Sequence, residues 1–423
     1  MGARAGIVVT GTEVLTGRVS DRNGPWLAEQ LRTLGVDIAG TLVVGDRPAD
    51  LRWALRSLRD LGVDLIVTSG GLGPTADDLT GEIVAQEQGR PLRLDAALEE
   101  RIGAIVADLM ARRGWTVSAE ATALAVRKQA LVPAGASVLG PAGTAPGLVV
   151  PIGSGVGPPV VVLPGPPWEL QRLWPAAVED PAVLRALADR TELRQETLRL
   201  WNTPESEIAE TLREVSGRLE GLEITTCLRA GELEVVTRFE PAAQATYDGL
   251  VAAFGTAYGG RLFSVDGGTV DDLVAAGLQA RGATVATAES CTAGLLAGRL
   301  TERAGSSDWV RGGLVVYSND TKVDLAGVPA ALLDRVGAVS AEVALALAQG
   351  ARERLGADVG VGITGIAGPG GATEGKPVGL VHLCVDAAWG RRSERVVLPG
   401  SRHDVRARSV GLAMHLLREV MAP

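Results

Sequence analysis

The sequence predicts an α/β protein built as two α/β domains with mostly parallel sheets, joined by a small α+β middle domain. Three observations carry this expectation. Near both ends of the chain, short apolar runs alternate with segments whose apolar residues recur at helical spacing. From about Gln171 to Pro241 the texture changes, and Arg and Glu become dense. The 423 residues also exceed one ordinary core, since domains hold roughly 100–200 residues. The expected domains are 1–170, 171–260 and 261–423.

Each element has its own signal. Gly6 to Thr10 reads as a buried strand, and Leu27, Leu31 and Leu34 mark a helix face. Val36 to Val44 is a second strand. Leu51, Leu55 and Leu58 repeat the helical spacing, and Val63 to Thr68 is a third strand, ending in a Gly-rich turn. Val160 to Leu163 is a later strand. In the middle, a helix is expected near Pro204 to Val215. The runs Leu222–Leu228 and Glu232–Phe239 flank Arg229-Ala230-Gly231 as a hairpin. Ala242 to Val265 carries the chain onward.

Beyond Asp266, Leu273, Val274, Gly277 and Leu278 mark a helix, Ala283 to Thr287 a strand, Thr292 to Thr301 a helix and Leu314 to Tyr317 a strand. Ser340 is placed to cap a helix running to Leu355, with Glu342 in its first turn. Val359, Val361 and Ile363 alternate like a strand with one buried face, while Leu380 to Val385 suits deeper burial. Val405, Leu412, Leu416 and Val420 share one face of a closing helix.

Composition excludes several classes. Hydrophobic residues are 46% and charged residues 22%, which argues against disorder. The net charge of -9 speaks against broad nucleic-acid binding, which needs clustered Lys and Arg. Cys227, Cys291 and Cys384 lack metal or disulfide spacing and fit a reducing compartment. The chain enters Ile7-Val8-Val9 without signal-peptide organisation, so a cytoplasmic location is expected. Gln129 to Trp168 carries no charge, but nine prolines between Pro133 and Pro167 forbid a spanning helix, so no membrane is expected.

Near the C-terminus, Thr287-Ala288-Glu289-Ser290-Cys291-Thr292-Ala293-Gly294 joins a strand to a helix. A hydroxyl there would sit beside helix N–H groups able to bind an oxyanion. Tyr317 and Lys322 follow, and Ser, Tyr and Lys suffice for amide hydrolysis if burial makes the lysine neutral. Thr364, Gly365, Gly368 and Gly370 lie in a Gly-rich stretch whose backbone suits a substrate phosphate. Taken singly, such residues are more often caps, packing or turns. Cys291 is a rival nucleophile, though no histidine is marked as its base.

The stretches 287–301, 312–322, 337–344 and 364–371, with Lys376-Pro377-Val378-Gly379, resemble the C-terminal domain of the competence/damage-inducible protein A (CinA) family. The resemblance implies hydrolysis of nicotinamide mononucleotide (NMN) to nicotinate mononucleotide and ammonia without a cofactor. Ser290 is then the nucleophile, and Tyr317 and Lys322 are its helpers. Ala293 stands where the family usually has Gly, which would narrow the oxyanion region or stiffen the helix.

At the N-terminus, Gly11 to Gly17, Asp21 to Gly24 and the loop Gly70-Gly71-Leu72-Gly73-Pro74-Thr75-Ala76-Asp77-Asp78 follow strands, where ligands bind in open sheets. Asp77 and Asp78 suit either a cation bridging a diphosphate or a helix cap. With GTAPG (143–147) and PGPPWEL (164–170), these stretches resemble the molybdopterin-binding type of domain that begins the same family. That resemblance implies metal-dependent pyrophosphatase activity on ADP-ribose or related diphosphates. The metal (Co, Mg or Mn) would fall to Asp77, Asp78 and Glu13, and the substrate to Gly70, Gly71, Gly73, Asn23 and Lys128. Small nucleotides are the implied partners, and a homodimer the implied assembly. Three other readings stay open: pyrophosphatase activity alone, a non-enzymatic adaptor in competence or DNA repair, and a molybdenum-cofactor enzyme.

Overall fold

The structure, a computed structural model, describes residues 2–114, 117–153, 157–229 and 231–422. The chain forms two compact units, Met1–Arg194 and Gln195–Pro423.

The first unit opens with β1 (Arg4–Thr10), α1 (Thr12–Leu15), α2 (Asn23–Thr33), β2 (Asp37–Val44), α3 (Pro48–Asp60), β3 (Leu65–Ser69) and α4 (Thr80–Glu87). A short antiparallel pair, β4 (Leu92–Leu94) and β5 (Leu131–Pro133), brackets α5 (Ala96–Arg113) and α6 (Ala119–Gln129). Then come β6 (Ser137–Leu139), β7 (Gly147–Val150), β8 (Val160–Leu163), α7 (Pro167–Val178) and α8 (Pro181–Ala186). The sheet order is β2-β1-β3-β8-β7-β6. β3 and β8 are buried on both faces, which is why they read as unbroken apolar runs. Leu27 and Leu31 of α2 pack with Leu170 and Leu173 of α7 in one core cluster, and Leu51, Leu55 and Leu58 of α3 pack in another. The charge-free run resolves into the short strands β5 to β8, with residues 154–156 outside the described set. Among the described residues no helix is long and apolar enough to cross a membrane.

The second unit begins with β9 (Arg194–Trp201), α9 (Glu205–Val215), β10 (Leu222–Arg229), β11 (Glu232–Phe239), α10 (Gln244–Tyr258) and β12 (Leu262–Ser264), whose strands order β10-β11-β9-β12. The hairpin pairs Leu222 with Phe239 through to Arg229 with Glu232, and its expected turn residue Ala230 lies outside the described residues. The helix α10 fills the stretch between Ala242 and Val265, where apolar spacing alone marks no element. Gly249 and Gly255 weaken its intrinsic propensity. Burial of Tyr247, Leu250, Phe254 and Tyr258 along one face outweighs that.

The same unit continues through α11 (Val270–Arg281), β13 (Val285–Glu289), α12 (Leu295–Thr301), β14 (Val310–Val315), α13 (Asn319–Asp324), α14 (Ala330–Val336) and α15 (Ala341–Leu355). It closes with β15 (Val359–Gly365), β16 (Leu380–Ala387), β17 (Gly390–Val397) and α16 (Arg402–Met421), in sheet order β14-β13-β15-β16-β17. Ser340 caps α15 as expected. β15 is buried on both faces rather than one, because Gly360 and Gly362 let α15 descend onto it. An added Cβ would lie 1.9 Å from the Ala348 carbonyl oxygen and 2.1 Å from that of Ala344.

The expectation of mostly parallel sheets is corrected to mixed ones. β2, β1, β3 and β8 are parallel, but β7 and β6 add antiparallel. β14, β13 and β15 are parallel, but β16 and β17 add antiparallel. Antiparallel neighbours need only short turns, such as Ala388-Trp389 between β16 and β17, whereas parallel ones need a long crossover. Strand direction leaves little trace in hydrophobic pattern.

Two testable consequences follow from this backbone. The helix after Ser290 starts at Leu295, not Thr292, and Ala293 lies before it in a left-handed turn, φ 50°. A Cβ there is strained by roughly 1–2 kcal/mol, partly offset by the entropy glycine brings to the unfolded chain. Ala293→Gly should therefore raise stability by about 0.5–1 kcal/mol in urea unfolding; an unchanged or lower midpoint would refute the strain.

The second concerns His415, fully buried on α16 against Glu232, with Nε2 3.1 Å from Oε1 and Trp201 stacked on its ring at 3.8 Å. Burial pushes its pKa below the ordinary value, against the pull of Glu232. The unfolded chain then takes up a proton that the native state refuses. Stability should be full above about pH 6.5 and fall as the pH drops below it. An NMR titration of the His415 ring with a midpoint above that value would reverse the sign.

Candidate functional site

In the second unit, the carboxyl ends of β13, β14 and β15 converge. The organising group is Glu289, the last residue of β13 and wholly buried. Its Oε2 accepts the N–H of Gly294 at 3.0 Å and of Leu296 at 3.1 Å; Oε1 accepts Ala297 N–H at 2.8 Å and the Thr287 hydroxyl at 3.1 Å. A buried carboxylate is tolerated only with such partners. The helix N–H groups expected to bind an oxyanion are thereby occupied by the protein itself.

Ser290 follows directly. Its N–H donates to Ile363 O at 2.9 Å, and Val316 N–H donates to Glu289 O at 2.9 Å, so both flanking strands hold the turn. From α16, Arg406 donates Nε to Cys291 O at 3.0 Å and Nη2 to Thr292 O at 2.9 Å. Ser290 is 8% exposed, and its hydroxyl has no hydrogen-bond partner among the described residues. Burial pushes the neighbouring Cys291 thiol up to about 11, which leaves little thiolate near neutral pH and weakens the rival nucleophile.

Lys322 lies on α13, which a Ser318–Thr321 capping box fixes just past β14. It is 2% exposed, and Nζ donates to the carbonyls of Val316, Tyr317 and Ser318 at 3.0, 3.2 and 3.4 Å. Three acceptors suit an ammonium, but desolvation outweighs them and pushes its pKa below the ordinary lysine value. Tyr317 is 60% exposed, and its hydroxyl accepts from Arg402 Nη2 at 3.0 Å. Arg402 Nη1 also donates to Gly368 O at 2.9 Å, tying the tyrosine to the Gly-rich loop.

Within that loop, the Thr364 hydroxyl donates to Ala338 O at 2.7 Å. Gly365 and Gly368 are packing requirements: an added Cβ would meet Leu380 O at 2.8 Å and Val378 at 2.6 Å, respectively. Gly370 faces open space. His382, cross-strand from Thr364, is 7% exposed, and its Nδ1 has no partner among the described residues. Burial, with Arg395 and Lys376 nearby, pushes its pKa down. Sequence reasoning missed Arg402, Arg406 and His382. The i, i+4 spacing of the two arginines was the available signal.

In the first unit, Gly70 and Gly71 adopt φ 104° and 65°, and an added Cβ would press on Thr10 O at 2.4 Å and the Thr80 hydroxyl at 2.1 Å. At Gly73 it would meet Asp78 at 2.4 Å. The loop is held by α6, where Lys128 Nζ donates to Thr75 O and Gln129 Nε2 to Leu72 O. The Thr75 hydroxyl lies within hydrogen-bonding distance of both Asp77 and Asp78 and shares its one proton between them, and the Thr75 N–H donates to Asp78 at 2.9 Å. The Thr75 bond holds the Asp77 carboxyl below the usual range. Asn23 is buried, and Nδ2 donates to Ser69 Oγ at 2.8 Å and Gly165 O at 2.7 Å.

The three expected metal ligands do not converge. Thr75 already engages both aspartates, and the exposed Glu13 folds against Gly11. Among the described residues no group of three His, Cys, Asp or Glu side chains could hold a metal ion. The expected ligand trio Asp77, Asp78 and Glu13 is therefore not assembled.

Comparison with known proteins agrees with this architecture. Residues 6–184 match the model of a probable molybdopterin binding domain, and residues 268–421 that of the CinA C-terminal domain. A CinA-like protein of Mycolicibacterium gilvum (strain PYR-GCK) is 59% identical over 100% of this chain and 99% of its own length. One from Mycobacterium tuberculosis (strain ATCC 25177 / H37Ra) is 54% identical over 99% of this chain and 98% of its own. A crystal structure of a competence/damage inducible protein from Agrobacterium tumefaciens is 42% identical, covering 37% of this chain and 99% of that one, with a TM-score of 0.35. At such identity along its whole length, the chain belongs to the CinA family, with a molybdopterin-binding type of domain ahead of a CinA C-terminal domain.

Proposed function

We propose that the second unit hydrolyses the carboxamide of NMN, giving nicotinate mononucleotide and ammonia. What supports this is Ser290 at the end of β13, whose hydroxyl is uncommitted, together with the buried Lys322 on α13, just past the neighbouring strand β14. In its neutral form Lys322 keeps two N–H groups for the Val316 and Tyr317 carbonyls. It gives up the longest contact, to Ser318, and frees a lone pair for the serine proton. Ser290 Oγ attacks the amide carbon as that proton passes to Lys322. The proton then goes to the departing nitrogen, the C–N bond breaks, and ammonia leaves an acyl-serine. Water hydrolyses this ester and restores Ser290. With the α12 donors occupied by Glu289, the oxyanion falls to the Ala293 N–H of the 291–293 turn. The Ala293 N–H donates to no backbone carbonyl among the described residues.

For the first unit, the family resemblance suggests cleavage of ADP-ribose or a related diphosphate between its phosphates. A second reading, a nucleotide-binding module without turnover, gains from one observation: the aspartates are committed to Thr75. No step is assigned to a metal.

These readings separate by assay. Ser290→Ala should abolish ammonia release from NMN, and Cys291→Ala should retain most of it; the opposite result would install a thiol mechanism. Lys322→Arg should be nearly inactive, because a guanidinium stays protonated. Wild-type activity should rise with pH, with a midpoint below about 10.4. Activity that falls over that interval would rule out a neutral lysine base.

On ADP-ribose, tested with and without added Co, Mg or Mn, Asp78→Asn should cut AMP production at least about tenfold, since a lost charge-assisted bond to Thr75 unmoors the loop. Ammonia release from NMN by the same preparation should not change. No AMP from the unmutated chain under any condition would leave the binding-module reading standing.

A further inference from the structure

Glu169 sits in the first turn of α7, 8% exposed. At this third helical position a glutamate ordinarily reaches back to the N–H of the capping residue. Here the cap is Pro166 and the first helical residue is Pro167, and neither has an N–H. The carboxylate thus lacks its usual local partner, and Oε2 is buried with no hydrogen bond among the described residues. The group lies against the GTAPG loop, where an added Cβ on Gly143 would fall 2.4–2.8 Å from both carboxylate oxygens. Only glycine leaves room for it.

A second buried acceptor belongs to the same end of the sheet. Asn23 spends both amide hydrogens on Ser69 at the end of β3 and Gly165 just past β8, and its Oδ1 has no partner among the described residues. The Gly165 Cβ direction meets only the Gly70 backbone, at 3.7 Å. Two partnerless acceptors on two buried side chains therefore border the strand ends that carry the Gly70 loop. Burial also pushes the Glu169 carboxyl above its ordinary range. Two buried acceptors without a protein donor are costly, and a group that supplies donors relieves that cost.

We infer that Glu169 and Asn23 form an acceptor subsite for uncharged hydrogen-bond donors of a nucleotide, its ribose hydroxyls or the exocyclic amine of its base. The subsite rests on reading the first unit as nucleotide-binding. It gives Asn23 a role in holding sugar or base instead of phosphate, because a carbonyl oxygen and a carboxylate both repel phosphate oxygens.

The test uses the full chain, with AMP, 2′,3′-dideoxy-AMP and IMP as probes in calorimetric titrations. The unmutated chain should bind AMP at least about tenfold tighter than one of the two analogues, since an unpaired buried acceptor is the penalty for each missing donor. A dideoxy-AMP deficit assigns the sugar, and an IMP deficit the amine.

Glu169→Leu should erase the discrimination and also raise the urea midpoint, because it removes a buried charge that has no partner. Glu169→Gln, which keeps the shape and one acceptor, should retain part of the discrimination and controls for folding. Equal affinity for all three probes, no AMP binding, or unaltered discrimination in folded Glu169→Leu would overturn the subsite. Absence of ADP-ribose cleavage with discrimination intact would sink the hydrolase reading alone.

Discussion

The second unit depends on one buried carboxylate. Glu289 ends a strand and begins the turn to α12, and its two oxygens take three N–H groups from Gly294, Leu296 and Ala297. Desolvating a carboxylate costs several kcal/mol, roughly, and charge-assisted bonds with the positive end of a helix recover much of that. The recovery demands a fixed geometry. The chain must leave β13, cross the strand end and return its N–H groups to the residue it has just left. Ser290 is the first residue of that loop, so its position follows from the satisfaction of Glu289. The left-handed pair Ala293 and Gly294 makes the return possible.

In the first unit, exposed and half-buried acids are satisfied by their own loops. Asp78 and Asp77 are satisfied locally by Thr75, and Asp21 caps α2 by accepting the N–H groups of Asn23 and Gly24 at 2.9 Å each. Glu169 is denied such a local partner by two prolines, and its Oε2 has no partner among the described residues. A buried acid oxygen without a partner among the described residues is costly, and packing alone does not account for it.

Much of this architecture was legible in the chain. β8, α15 and the hairpin strands stand close to where periodicity places them, because burial on one or two faces writes itself directly into apolar spacing. The helix α10 was not legible, since its glycines mask a face that only tertiary burial reveals. Strand direction was hidden for the reason given by β16 and β17: a two-residue turn and a long crossover leave similar apolar runs on either side. At the sites, residue types and order pointed to Ser290, Lys322 and the Gly70 loop. Hydrogen-bond allocation did not show. Nothing in TAESCTAG says that Glu289, rather than an incoming oxyanion, takes the helix N–H groups, or that Thr75 claims both aspartates.

The closing helix joins these threads within the second unit. Through Arg402 and Arg406, α16 grips the Gly368 carbonyl, the Tyr317 hydroxyl and the carbonyls of Cys291 and Thr292. A few turns on, the same helix buries His415 against Glu232 of β11 and Trp201 of β9. A guanidinium that holds two carbonyls fixes backbone without entering the reaction, so the turn bearing Ser290 is only as rigid as the seating of α16. That seating is set partly by an imidazole which burial keeps short of protons. Protonating it would place a cation inside an aromatic stack beside a single carboxylate. The cost would be borne by the helix whose first turns hold the Ser290 loop in place. The site and the four-stranded sheet thereby share one structural element, although no residue of that sheet contributes to the proposed chemistry.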